Sequence, residues 1–214
     1  MVIVMRYITF DVETAGGKLG RHPTISVGAC VVPEEDIHFA EYYERSLVFY
    51  AELKPEFHAY EKEAMRVGCS HLQCLENIRA SHPGYEPNHD KLRPDLVLEL
   101  MQERCEDPAK AMERLLAWVD QVSDGEDVEA VTDTVLFDGG HVDRLLGVHA
   151  QRQSPFGWGG LDLDSLFRGY TGDEDASLSE LNLPDPRPKP HRADQDAVYI
   201  AQVAHDLLYE KLRW

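Results

Sequence analysis

Three runs of apolar residues in the first quarter of the chain predict β-strands. They lie at residues 3–13, 24–32 and 47–53, and β-branched and aromatic residues are frequent in them. A glycine-rich loop joins the first two runs, and a charged segment at 33–45 joins the second and third. Connections of this kind predict an antiparallel meander with the 3–13 strand in the centre of the sheet.

Helical spacing dominates the rest of the chain. The clearest helix begins at Asp107-Pro108, an N-cap residue followed by proline at the first helical position. Apolar residues then recur at i, i+3, i+4 and i+7, a stripe that faces a core. The strand predicted after it, at 128–132, should run parallel to a strand already in the sheet, because a crossover helix precedes it. Further helices are predicted at 56–67, 72–79, 96–105 and 193–212, and a short helix or a strand–helix unit is predicted at 163–170.

These elements predict an α/β fold with a mixed sheet, an antiparallel meander plus parallel strands, flanked by helices. We interpret residues 1–214 as a single domain, since the sequence contains neither repeats nor a linker. A polar segment rich in proline and glycine at 81–93, together with the helix after it, indicates an insertion around 81–105.

The composition and charge of the chain exclude some classes of protein. The formal net charge of −18 argues against a protein that coats nucleic acid through a basic surface. The apolar runs are too short to span a membrane, and the N-terminal residues do not form a signal peptide. We therefore expect a soluble, intracellular, cytoplasmic protein whose four cysteines are free thiols. A zinc site using Cys69, His71 and Cys74 fits no standard spacing.

Two acids end the first predicted strand. Asp11 and Glu13 are two positions apart and therefore point to the same face. Neighbouring carboxylates repel each other, and a hard divalent cation between them would relieve the repulsion. The alternative is a strand end whose acids are simply solvated.

Two more acids occupy notable positions. Asp138 lies where a strand gives way to a helix at about Gly139, so it is either the N-cap of that helix or a ligand. Asp196 shares a helical stripe with Ile200 and Val203 and so points toward the sheet, where a charge needs a partner. The alternative for Asp196 is a first-turn acid that stabilises the helix dipole.

Four acids and one histidine thus map to one edge of the predicted sheet. Four carboxylates are the usual ligands of a pair of Mg²⁺ or Mn²⁺ ions, and such a pair binds phosphodiesters and promotes their hydrolysis. A neutral histidine beside them can accept a proton from water. The five residues are Asp11, Glu13, Asp138, His191 and Asp196.

The sequence resembles the DnaQ-like (DEDDh) 3′→5′ exonucleases. Residues 10–14, Phe-Asp-Val-Glu-Thr, look like the first family motif, and residues 191–197, His-Arg-Ala-Asp-Gln-Asp-Ala, look like the third. Phe137-Asp138 with Leu145 looks like the second. That motif departs from the family pattern, because residues 132–134 read Thr-Asp-Thr where the family often has His-Asn or Asp-Asn.

The resemblance implies an RNase H-like fold and a metal-dependent 3′→5′ exonuclease that releases nucleoside 5′-monophosphates from single-stranded DNA or RNA. It implies that Asp11 would bridge two divalent ions, Mg²⁺ or Mn²⁺. Glu13 and Asp196 would hold one of them and Asp138 the other, with His191 as general base.

The resemblance also implies substrate contacts. Backbone groups near Thr14 would meet the terminal 3′-hydroxyl. The proline-rich segment before His191 would place Arg187 or Lys189 near a phosphate. A homodimer and a polymerase or repair partner are both left open, and no membrane partner is expected.

Two alternative hypotheses of function remain. A catalytically silent nucleic-acid-binding or interaction module could use the same fold. An Fe(II) oxygenase could use His141, Asp143 and His191, since His-x-Asp with a distant histidine matches the facial triad.

Overall fold

The computed structural model describes residues 5–157 and 159–214, which form a mixed five-stranded sheet of order β3-β2-β1-β4-β5. The first three strands are antiparallel, whereas β4 pairs with β1 and β5 with β4 in parallel. The predicted fold class and the central position of the site-bearing strand are therefore confirmed. Residues 3 and 4 of that predicted strand lie outside the described residues. The strands are β1 Met5–Thr14, β2 Thr24–Val31, β3 Val48–Glu52, β4 Asp127–Thr132 and β5 Leu161–Asp162.

Eight α-helices are described beside the sheet: α1 Phe39–Glu44, α2 Lys62–Gly68, α3 Gln73–Glu76, α4 Pro94–Arg104, α5 Pro108–Ser123, α6 Gly140–His149, α7 Leu163–Thr171 and α8 Ala193–His205. The start predicted for α5 is confirmed, because the Asp107 carboxylate accepts the Ala109 N–H at 3.0 Å. Asp124, in the left-handed conformation, ends this helix.

Several predicted boundaries were wrong. The helix predicted at 56–67 begins only at Lys62. Upstream of it the Glu56 carboxylate accepts hydrogen bonds from Arg144 of α6 at 2.6 and 3.0 Å, so the start of this non-helical segment is tied to α6. The helix predicted at 193–212 ends as an α-helix at His205 and continues as a π-helical turn, Asp206–Lys211. Helix α1 was not predicted. The strand–helix unit predicted at 163–170 corresponds to β5 and α7, but its strand lies just before the predicted range.

The two faces of β1 serve different layers. Ile8, Phe10 and Val12 are buried against α5 and α6. On the opposite face the Thr9 hydroxyl donates to the Ala197 carbonyl of α8 at 2.8 Å. Because side chains alternate along a strand, Asp11 and Glu13 share the α8 face with Thr9.

Helix α8 lies directly on the sheet at Gly28. A Cβ atom at that position would come within 2.0 Å of the Ala193 carbonyl oxygen, so only glycine permits this approach. The close contact sets the first turn of α8, which carries Asp196, beside the end of β1.

A third apolar cluster joins α2, α3 and α4 to the end of β1 and includes Met65, Leu75 and Met101. Within the described ranges, no helix combines the length and the apolar character needed to cross a bilayer.

Candidate active site

The two acids of β1 lie where the strand is about to leave the sheet. Glu13 is buried with 9% exposure, and the register with β2 shifts between Glu13 and Thr14. Asp11 is half-buried, and its Oδ2 atom has no hydrogen-bond partner in the described part of the chain. A buried carboxylate oxygen without a donor is costly unless a cation binds there.

Asp138 is not the N-cap of the helix that follows it. It lies in a π-helical turn, Val135–Gly139, and α6 begins at Gly140 with Gly139 as the preceding cap residue. The Asp138 carboxylate instead accepts the backbone N–H of Val12 at 3.1 Å. Since Val12 lies between Asp11 and Glu13, this contact brings the third acid to the first two.

Asp196 and His191 complete the group from the C-terminal side. Asp196 is buried with 6% exposure, and its Oδ2 atom accepts the His191 backbone N–H at 3.0 Å. His191 is exposed and has a φ of +64°, a left-handed conformation that turns the chain sharply into α8. One ligand atom each from Glu13, His191 and Asp196 lies within 4.8 Å of the other two.

The acids raise one another's pKa values. Burial raises the pKa of Glu13 to about 8, and the nearby carboxylates of Asp196 and Asp138 contribute. Burial likewise raises the pKa of Asp138 to about 7, with a further contribution from Asp133. The pKa of Asp11 is raised well above its ordinary value, first by burial and then by Glu13 and the other site acids. The single positive charge of Arg187, which pairs with Asp196, does not balance four carboxylates.

This arrangement fits divalent cations. The unpartnered oxygen of Asp11, the close ligand atoms of Glu13, His191 and Asp196, and the raised carboxyl pKa values all describe a site that a hard cation would stabilise. The donor set is mostly carboxylate oxygen, which favours Mg²⁺ or Mn²⁺.

The predicted substrate-contacting residues are engaged within the protein. Arg187 donates to the Oδ1 atom of Asp196 at 2.8 Å and to both oxygens of Asp185 at 2.7 and 2.8 Å. The Lys189 ammonium pairs with Glu76 at 2.6 Å. The Thr14 side chain is buried, and its hydroxyl donates to the Gly16 carbonyl at 3.0 Å.

A cavity of about 360 Å³ opens at this edge of the sheet. Its lining includes Asp11, Arg187, His191 and Asp196. It also includes Asp133, which the pattern of acids in the sequence did not single out.

Two side chains of the site were missed from sequence. Asp133 interacts with the Asp138 side chain, and its proximity also raises the pKa of Asp11. The sequence signal for Asp133 was the departure of residues 132–134 from the family motif.

Tyr199 is the second of these side chains. The centre of its ring lies 4.3 Å from the Arg187 guanidinium carbon, and this cation–π contact supports the arginine. No sequence pattern pointed to that contact.

The facial-triad residues are not brought together as ligands. His141 is buried with 2% exposure, and its Nδ1 atom hydrogen-bonds the Thr24 hydroxyl at 2.8 Å. Asp143 is exposed on α6. Among the residues that the structure describes, neither belongs to a group with metal-ligand spacing, whereas His191 groups with Glu13 and Asp196.

Replacing Arg187 should tighten metal binding. Its guanidinium occupies one oxygen of Asp196 and supplies positive charge that a divalent ion would otherwise supply. We expect Arg187→Gln to bind Mn²⁺ several-fold more tightly in calorimetric titration and to unfold at a lower temperature without metal. Arg152→Gln, which removes an ion pair with Asp120 elsewhere on the surface, is the matched control. Weaker Mn²⁺ binding by Arg187→Gln would contradict the expected competition between Arg187 and the metal ion for the Asp196 carboxylate.

The stability of the metal-free protein should fall as pH rises. The folded-state pKa of Glu13 is about 8, above its ordinary value of 4.5, so the folded protein binds more protons than the unfolded chain between these values. Under that condition the free energy of unfolding decreases with pH. We expect denaturant midpoints, measured in chelator, to fall between about pH 4.5 and 8, and Mn²⁺ to flatten the decrease. A Glu13→Gln protein that keeps the full decrease would rule out this carboxyl as a contributor.

No protein-family model and no curated protein matches this sequence. Solved structures with a similar fold do exist. The nuclease domain of 3′hExo, described as a DEDDh family member bound to rAMP, has a TM-score of 0.64 at 11% identity, over 97% of this chain and 94% of that one. Cell-death related nuclease 4 (CRN-4) has a TM-score of 0.60 at 15% identity, over 94% of this chain. A zinc-bound complex of *E. coli* exonuclease I with single-stranded DNA has a TM-score of 0.58 at 13% identity, over 98% of this chain.

The chain spans only 63% of the CRN-4 chain and 41% of the exonuclease I chain. These similarities show that the protein has the RNase H-like fold of the DEDDh exonucleases. At the level of the fold, the resemblance found in the sequence motifs is therefore confirmed.

Proposed function

We propose that this protein is a metal-dependent 3′→5′ exonuclease that hydrolyses single-stranded nucleic acid to nucleoside 5′-monophosphates. One observation carries the proposal. Four acids and a histidine from three distant segments converge beside the end of β1, on a fold that DEDDh exonucleases share. A structural role does not explain this convergence, because clustering four acids around one arginine destabilises a fold unless a further cation binds.

Asp11, Glu13, Asp138 and Asp196 would hold two divalent cations, Mg²⁺ or Mn²⁺. When bound, such ions neutralise phosphate charge, lower the pKa of water and stabilise the leaving oxygen. The residues prepare this site in the fold itself, since Asp138 is held by the Val12 N–H and Asp196 by the His191 N–H.

His191 serves as the general base in this proposal. It is exposed at the cavity and lies beside Glu13 and Asp196, so its ring can accept a proton from water at the acidic edge. The hydrogen bond from its backbone N–H to Asp196 fixes the end of the proline-rich segment relative to the acids. The ring itself is left to turn toward the substrate.

The proposed substrate is a single-stranded 3′ end, taken into the cavity rather than along an extended surface. *E. coli* exonuclease I, which has a similar fold, is described in complex with single-stranded DNA, which supports this substrate class. The net charge of −18 supports a short contact, because few phosphates can be neutralised by the protein's own cations.

The decisive experiment is degradation of single strands labelled at either end, DNA and RNA in parallel, with Mg²⁺, Mn²⁺ or chelator. The proposal predicts labelled mononucleotides at once from 3′-labelled strands and a shrinking ladder from 5′-labelled strands. Products that persist in excess chelator, or cleavage of closed circles, would overturn it. Tight binding without products would favour the silent binding module.

Binding should depend only weakly on salt. Arg187, Lys189 and Arg192 are paired with acids, whereas Lys18 and Arg21, in the loop that follows β1, are exposed and form no ion pair with the described residues. With roughly 0.7 per phosphate neutralised on a single strand, two or three contacts give a slope of log K against log salt of about −2. We would measure binding of Asp138→Ala protein to strands of increasing length over a salt series. A much steeper slope, or affinity that keeps rising beyond about ten nucleotides, would reveal a basic track.

A further inference from the structure

A second group of ligand-type side chains lies away from the acidic cavity. A carboxylate oxygen of Glu52 and the thiol sulfurs of Cys74 and Cys105 all lie within 4.8 Å of one another. The three residues come from the end of β3, from α3 and from the residue that follows α4. In sequence Cys74 stands closer to Cys69 and His71, but the structure groups it with Cys105.

Backbone pairing brings Cys105 to Glu52. The N–H of Glu106 donates to the Glu52 carbonyl at 2.9 Å, and the N–H of Lys54 donates to the Glu106 carbonyl at 2.8 Å. These bonds form a parallel bridge at the edge of the sheet, so the residue before Glu106 is held beside the end of β3. The position of Cys105 is therefore fixed by the main chain and not by a flexible loop.

The carboxylate of Glu52 is also held in place. It accepts the backbone N–H of Cys74 at 3.0 Å and the Tyr50 hydroxyl at 2.7 Å, and it contacts the N–H of Gln73 as well. Hydrogen bonds of this kind orient the ligands of protein metal sites. Here they orient Glu52 and bring Cys74 toward it with the same contact.

The chemistry of the group favours a cation over a disulfide. Cys105 is buried and Cys74 half-buried. Both sulfurs lie close to the Glu52 carboxylate, which a disulfide would not engage. A bound cation would engage the carboxylate and both sulfurs together.

We propose that Glu52, Cys74 and Cys105 form a Zn²⁺ site that ties β3 to α3 and α4. Two thiolates and one carboxylate supply three ligands, and water completes the tetrahedron. Binding releases two protons, one from each thiol, with no change of oxidation state. Thiolates select a thiophilic ion, so Mg²⁺ should not bind here, in contrast to the all-oxygen acids of the proposed catalytic site. The inference does not depend on the proposed function.

The test uses Co²⁺ as a spectroscopic probe for Zn²⁺, in reduced protein carrying Asp11→Ala to weaken the acidic site. A thiolate-to-cobalt charge-transfer band should appear, saturate at one equivalent and vanish when Zn²⁺ is added. Cys74→Ser and Cys105→Ser should each abolish the band, and Glu52→Gln should weaken binding. Cys69→Ser is the matched control, because Cys69 is a buried thiol that lies against Met65 outside the group, and it should keep the band.

A second measurement needs no variant. In the wild-type chain, Zn²⁺ should protect two thiols from alkylation and raise the melting temperature by roughly 5–10 °C at a hundred-fold excess over its Kd, whereas Mg²⁺ should protect none. The absence of a thiolate band in reduced protein would overturn the proposal, as would a band that survives Cys74→Ser. A Cys74–Cys105 disulfide in protein that takes up no Zn²⁺ after reduction would also overturn it and identify a redox pair.

Discussion

Replacing Asp11 or Asp196 with alanine is expected to lower exonuclease turnover by several orders of magnitude while the fold is kept. Each substitution removes an oxygen ligand from the site where both cations are proposed to bind. For Asp11, the substitution that lowers activity should raise the thermal stability of the metal-free protein. Its carboxylate has an oxygen without a partner and faces other acids, so Asp11→Ala should melt at a higher temperature than wild type in chelator.

Asp196→Ala should not share that gain, because it also removes the acceptor for Arg187 and for the His191 N–H. The experiment measures single-turnover degradation and thermal unfolding with and without Mn²⁺. Asp143→Ala is the matched control, an exposed aspartate on α6 that should retain wild-type activity. Full activity in Asp11→Ala would show that this residue does not belong to the site, and loss of activity in Asp143→Ala would show that α6 contributes to activity outside the four acids.

Replacing His191 with alanine is expected to slow hydrolysis by about 10²–10⁴-fold, the usual contribution of a positioned general base. Metal affinity should change little if the ring acts on water and not as a ligand. The geometry makes this distinction necessary, since the ring lies near ligand atoms of both Glu13 and Asp196. Calorimetric titration with Mn²⁺ therefore has to accompany the rate measurement.

The pH–rate profile gives an independent check. Protonation of an imidazole base produces an acidic limb, and that limb should be altered in His191→Ala. His58→Ala, at an exposed position on another segment, is the control and should leave the profile unchanged. An unaltered acidic limb in His191→Ala would refute the assignment as base, and a large loss of Mn²⁺ affinity would make His191 a ligand instead.

Local patterns in the sequence were enough to predict most of the sheet and to single out the five candidate site residues. Alternation along β1 correctly predicted that Asp11 and Glu13 face the same side. The N-cap and proline at the start of α5 predicted its first turn, and the stripe containing Asp196 predicted a helix against the sheet. Such signals depend on neighbours a few residues apart, so one sequence suffices to detect them. The roles of these residues stay predictions until the variants are measured.

Contacts between distant segments could not be predicted in this way. The hydrogen bond from Val12 to Asp138 spans 126 positions, and only the folded chain shows that Asp138 does not cap its helix. The ion pair between Arg187 and Asp196 is a second contact of this kind. The sequence shows Arg187 only as a cation in a proline-rich segment and does not reveal that it pairs with Asp196.

The sequence by itself determined the type of most strands and helices, the face of β1 on which the acids lie and the resemblance that links them to one fold. Only the tertiary structure decided which polar groups share a site: Asp133 with Asp138, Arg187 with Asp196, and Glu52 with Cys74 and Cys105. The physical reason is that periodicity records whether a side chain faces the core. Partners, burial and charge balance depend on which chain segments the packing of the sheet and helices brings together.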